Sequence, residues 1–232
     1  MSPWIAPALF VSARLIWHPT AHNTHTLMYP IVEAAGAYNT LEPFHPLYPL
    51  LIGLVRRMWE AVAAPGPALP ALLLLSLLAG CAYLVLIHRL VQRVCASGEL
   101  ALGAALVAAA SANLWSWSLQ SCAYNFSTAA LLGTACLLVE RETLGKREAA
   151  WAGLLVGIAG GFDSAAGLAG LLVAVELLRR GKKRGSRVAA LGVLAAAAAV
   201  PVAIGYAGLV WRFSIQGWPF HPSLRGLLDS LP

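Results

Sequence analysis

The side chains able to move protons or hold phosphate gather in the first quarter of the chain. Glu33 and His45 stand twelve residues apart, with His18, His22 and His25 before them and the pair Arg56 and Arg57 after. A carboxylate can take a proton from a hydroxyl, an imidazole can give or accept one, and a guanidinium forks onto phosphate. His22 and His25 are one turn apart if their loop is helical, and imidazoles beside a carboxylate could bind a divalent transition metal. The residues around them are Asn and Thr, which form loops, and no spacing such as H-E-x-x-H occurs, so no metal site is assigned. Asp163, in "GIAGGFDSAAG", has two readings. An ionisable group at membrane depth is a functional candidate, whereas at the tip of a turn it caps the helix that follows.

These residues sit in a chain made for lipid. Of 232 residues 59% are hydrophobic and 11% charged, with a mean hydropathy of +0.72. That balance predicts an all-α integral membrane protein in a single polytopic domain, residues 1–232. The net charge of +6 comes from bases clustered between apolar runs, the pattern of cytoplasmic loops, so no nucleic-acid role is assigned. Cys81, Cys95, Cys122 and Cys136 lie in or at the ends of apolar segments without C-x-x-C spacing and read as small core residues.

Apolar runs cover 68–88, 100–118, 121–139, 150–178 and 188–210, and residues 3–17 read as a short first helix without the features of a signal peptide. Arg89 and Arg93, Lys146 and Arg147, and the block RRGKKRGSR (179–187) mark cytoplasmic ends. One crossing by 150–178 would put either the 140s loop or that block on the wrong side. The glycines of "GIAGGFDSAAG" resolve this: 150–160 and 164–178 are expected to form a hairpin that enters and leaves on the cytoplasmic side. The count is then about seven transmembrane helices with a cytoplasmic N-terminus, an outer loop at 18–66 and an outer interfacial tail at 211–232 carrying Trp211, Phe213, Trp218 and Phe220.

Within the outer loop, residues 27–38 and 46–63 are expected to be interfacial helices. In the second, Leu47, Leu50, Leu51, Leu54, Val55, Met58 and Val62 recur at three- and four-residue spacing, while Arg56, Arg57 and Glu60 fall on the other side. Pro49 suits a first turn. Arg56 and Arg57 could hold a lipid phosphate or snorkel to anionic headgroups. Gly153, Gly157 and Gly161, four apart, suggest close helix approach, and the Asn125-Phe126-Ser127 sequon lies inside an apolar run, where glycosylation is not expected.

A first helix, an outer loop holding interfacial helices, Glu33 and the motif "HPLYPLL" (45–51), then further helices: this order resembles the GT-C superfamily of membrane glycosyltransferases, protein O-mannosyltransferases among them. Within it the chain is most similar to a bacterial family whose first loop reads D-S-G-E followed twelve residues later by H-P-P-G-Y-P-L. "LWSWSLQSCAYNFSTAALL" (114–132) and "GLLVGIAGGFDSAAGL" (153–168) look like later segments of that family. The likeness covers most of the chain and reads as the conserved N-terminal membrane module alone. It departs where the family's first-loop aspartate would fall at Pro30, and where a glutamate near Tyr124 is replaced by Ser121, Cys122 and Ala123.

The resemblance implies a multi-pass protein of the bacterial inner membrane. It would transfer sugar from a polyprenyl-phosphate carrier on the outer face, with Glu33 as the catalytic carboxylate, positive charge or a divalent cation steadying the departing phosphate, and His45, Tyr48, Arg56 and Arg57 at the carrier; the resemblance leaves the cofactor open. The missing aspartate leaves a second expectation open: a non-catalytic subunit with this scaffold, packed among other membrane subunits. A transporter would want a second half matching the broken hairpin, and the sequence has none.

Overall fold

The structure is a computed structural model that describes residues 2–16, 46–62, 69–111, 114, 123–181 and 184–215. Among them are eight α-helices and no strand: α1 (Ile5–Ile16), α2 (Leu47–Val62), α3 (Leu69–Cys95), α4 (Gly98–Ala109), α5 (Ala123–Glu140), α6 (Lys146–Phe162), α7 (Ala169–Arg180) and α8 (Arg184–Ile215), with a 3₁₀ turn at Ser164–Leu168. The segment 27–38 and the tail beyond Ile215 lie outside the described residues.

Two stretches, Leu73–Cys95 and Gly185–Gly208, are long and apolar enough to cross a membrane. Only 28% and 22% of their most apolar windows are buried in the bundle, so neither stretch is enclosed as the core helix of a soluble protein is. α4 is apolar but twelve residues long. α3 continues seven residues beyond the apolar run that ends at 88. Arg89 forms a two-pronged ion pair with Glu140 of α5, one arm at 2.8 Å, and the helix continues to Cys95.

Local chemistry sets the helix ends. Ala96 takes a left-handed backbone at φ 52°, and Ser97 then caps α4, its hydroxyl accepting from the Leu100 amide at 3.2 Å. At the start of α6 the Glu148 carboxylate accepts from the Gly145 amide at 3.0 Å. Asp163 stands between α6 and the 3₁₀ turn, its Oδ1 accepting from the Ala165 amide at 3.2 Å. The capping reading of Asp163 therefore holds.

The helix directions follow from three contacts between α3 and α5. Asn125 Nδ2 donates to the Ser76 carbonyl at 3.1 Å, Cys136 Sγ to the Leu86 carbonyl at 3.4 Å, and Arg89 pairs with Glu140. The partner advances along both chains together, so α3 and α5 run parallel. α6 turns back against α5, α7 turns back against α6, and Val156 and Gly160 meet Gly170 and Gly167 across that hairpin. α7 ends where α5 ends, with Arg180 Nη1 donating to the Leu138 carbonyl at 2.8 Å and the Arg141 carbonyl at 3.2 Å. This is the hairpin expected over 150–178, with both its ends on one side. α8 then runs parallel to α6, Gly153 against Leu194 and Ala197 and Gly157 against Ala198. Their closeness is the approach that the four-residue glycine spacing signals.

The helices α3, α5, α6 and α8 pack in that order, with α4 and α1 on α3 and α7 over α6. One end of the bundle gathers Arg89, Arg93, Arg141, Lys146, Arg147, Arg179, Arg180 and Arg187, which is every described Lys or Arg side chain except Arg57. The other end is closed by α2. Tyr48, Ile52 and Val55 form one buried cluster with Ala123, Phe162, Ala71, Leu75, Phe126 and Ile158, drawn from the first turns of α3 and α5 and the last of α6.

Candidate functional site

At the α2 end, two motifs over a hundred residues apart in sequence come together. Gly161 has no side chain where Leu47 packs, and Gly205 of α8 lies where a methyl group would stand 2.9 Å from Pro46 Cβ. Gly208, one turn on, receives Leu50. These glycines seat the "PLYPLL" segment (46–51) against the "GGFDS" turn. The rings of Phe126 and Phe162 stack at 5.0 Å beside them, and Asp163, half-exposed, follows at the rim.

α2 presents three different surroundings. Tyr48, at 1% exposure, and Ile52 face the bundle. Leu54 and Met58, 57% and 60% exposed, form a second apolar row about a quarter to a third of a turn away. Arg57 is exposed on a third side, about opposite Tyr48 at 3.6 residues per turn. A helix lying at a lipid surface needs such a division: one face on protein, one in hydrocarbon, and a base near the headgroups.

The expected site residues distribute as follows. Tyr48 and Arg57 belong to one helix on opposite sides, so the fold does not bring them together; Tyr48 packs inside the cluster that seats α2. Arg56 belongs to α2, but its side chain lies outside the described atoms, and Glu33, His45, His22 and His25 lie outside the described residues. No group of three or more His, Cys, Asp or Glu placed to hold a metal occurs among the described residues. Asn125 and Ser127 of the sequon are buried at 1% and 2%, in keeping with an unmodified segment.

Two features escape sequence reading. His88, 1% exposed on α3, has neither ring nitrogen hydrogen-bonded. Its only sequence signal is its place one turn after Leu84, which packs with Phe10 and Ala109. At the basic end, a polar cleft of ≈ 480 Å³ lies between Glu140, Arg141, Glu142, Gly145, Glu148 and Ser186. Glu140 is paired with Arg89 and Glu148 caps its own helix, so the cleft's carboxylates are largely committed.

Against known proteins, no family model, no curated protein and no solved structure matches this chain.

Proposed function

We propose that the chain is a multi-pass protein of the bacterial inner membrane, a GT-C-like glycosyltransferase or its membrane module, that transfers sugar from a polyprenyl-phosphate carrier at the end closed by α2. The observation that carries this reading is the seating of Pro46, Leu47 and Leu50 on Gly161, Gly205 and Gly208, at the end opposite the gathered bases. Positive charge favours the cytoplasmic side, so α2 belongs to the outer surface, where such a carrier presents its sugar. There Arg56 and Arg57 would meet the carrier phosphate, with His45 just before the helix and Tyr48 anchoring it to the bundle. Glu33 would take the proton from the acceptor hydroxyl as the acceptor oxygen bonds to the sugar and the lipid phosphate departs with the electron pair.

The test is turnover of a polyprenyl-phosphate sugar by the purified chain, alone or in the assembly from which it is isolated. The reading expects turnover in wild type and its loss in Glu33→Gln. Undiminished turnover in the variant removes Glu33 from the chemistry.

A second reading, a non-catalytic subunit within a larger membrane assembly, draws on one observation. Among the described side chains the α2 end carries a single carboxylate, Asp163, and it is engaged as a cap; the side chain of Glu60 in α2 lies outside the described atoms. This reading expects stable co-purification with other chains and assembly chemistry indifferent to Glu33→Gln. A chain that purifies alone as an active transferase contradicts it.

A further inference from the structure

α6 gives three of its sides to neighbours: Gly153 and Gly157 to α8, Leu155 to Gly133 of α5, and Val156 and Gly160 to the α7 side of the hairpin. Its fourth side, between α5 and α8 and away from α7, meets α2 at its outer end, where Ile158 joins the cluster of Tyr48 and Ile52; towards the basic end no described helix packs on it. Arg147, Trp151, Leu154 and Ile158 follow one another there at intervals of four, three and four, a single helical stripe. Arg147 is exposed and Trp151 is 53% exposed, Leu154 is half-buried, and Ile158 is half-buried against the α2 cluster.

The stripe has a charged end and an apolar end. Arg89, Arg179, Arg180 and Arg187 each bind an acid or a carbonyl of this chain. Arg147 and its neighbour Lys146 have no such partner among the described residues. One turn inward from Arg147 stands an exposed indole, the side chain favoured at the boundary between headgroups and hydrocarbon. From Arg147 to Leu154 the helix rises about 10 Å at 1.5 Å per residue, within one leaflet of a hydrocarbon core about 30 Å thick.

We infer that this stripe is a binding site for one anionic phospholipid of the leaflet at the basic end, its phosphate on Arg147 and Lys146, and one acyl chain lying along Trp151 and Leu154. A zwitterionic lipid offers the same chain but a headgroup with no net charge to answer two unengaged bases. The site needs the chain to be in a membrane and stands independently of the transferase reading.

The experiment uses the full chain in neutral detergent with photoactivatable phosphatidylglycerol, and phosphatidylcholine carrying the same probe, and maps adducts by mass spectrometry. Phosphatidylglycerol is expected to label the 147–154 segment in preference to the other exposed helices and above phosphatidylcholine. Arg147→Gln should cut that labelling about fivefold, the effect of one base near an anionic surface. Arg93→Gln, at the same end but off the stripe, should leave it unchanged. Equal labelling by both lipids, labelling spread evenly over α4 and α7, or indifference to Arg147→Gln overturns the site. If Arg147→Gln does not fold, Lys146→Gln is read in its place, with loss again expected.

Discussion

Gly157 of α6 lies against the carbonyl of Ala198 in α8, so close that a methyl group on its α-carbon would overlap that oxygen. Backbone cannot yield as a flexible side chain can, so the two helices would have to part. Gly157→Ala should lower stability by about 1–3 kcal/mol, as overpacking of a tight contact does. Gly192→Ala, on the same α8 helix with nothing within 4 Å of the added carbon, should instead raise it by up to about 1 kcal/mol through helix propensity. Thermal unfolding of both variants in one detergent checks the pair, and the opposite signs are the point of the comparison.

The turn between α3 and α4 carries a second prediction. Ala96 holds φ 52°, a conformation that costs an L-residue with a Cβ about 1–2 kcal/mol relative to glycine's freedom there. Ala96→Gly should therefore stabilise the chain by about 1 kcal/mol, and Ala96→Val should destabilise it. Melting temperatures of the two variants, moving in opposite directions from wild type, are the readout.

Asn125 joins α5 to α3 through the Ser76 carbonyl while buried at 1%. Asn125→Leu removes that bond and swells the contact, and a loss of about 1–2 kcal/mol is expected, in the range for polar contacts between helices in lipid. The same burial predicts that wild type, made in a glycosylating host, shows no shift in mobility on glycosidase treatment.

Much of this architecture is legible in the sequence, for reasons visible in particular residues. Apolar runs and their bases locate the helices, and Gly160, Gly161 and Asp163 announce the turn that the 3₁₀ segment makes. Gly153 and Gly157, four apart, announce a close approach. The partner of that approach is not legible, because the Ala-rich run of α8 offers many equivalent faces. Nor is the seat of α2: Gly205 and Gly208 are separated from Pro46 by some 160 residues, and only the parallel course of α6 and α8 brings them to it. His88 is hidden for the opposite reason, since a lone polar residue in an apolar run carries no mark of which side it faces. Of the candidate site, Tyr48 and Arg57 are placed on opposite sides of one helix, a separation their nine-residue spacing contains once the helix is granted.

The account stands on α2 and the gathered bases facing opposite sides of a membrane. Cys95, exposed at the basic end, and Arg57→Cys on α2 are suitable probes in chains whose remaining cysteines are alanine. Each is treated with a membrane-impermeant maleimide in right-side-out and inside-out vesicles. The account predicts that Arg57→Cys reacts in right-side-out vesicles and Cys95 in inside-out ones; reaction of both probes from the same side contradicts it.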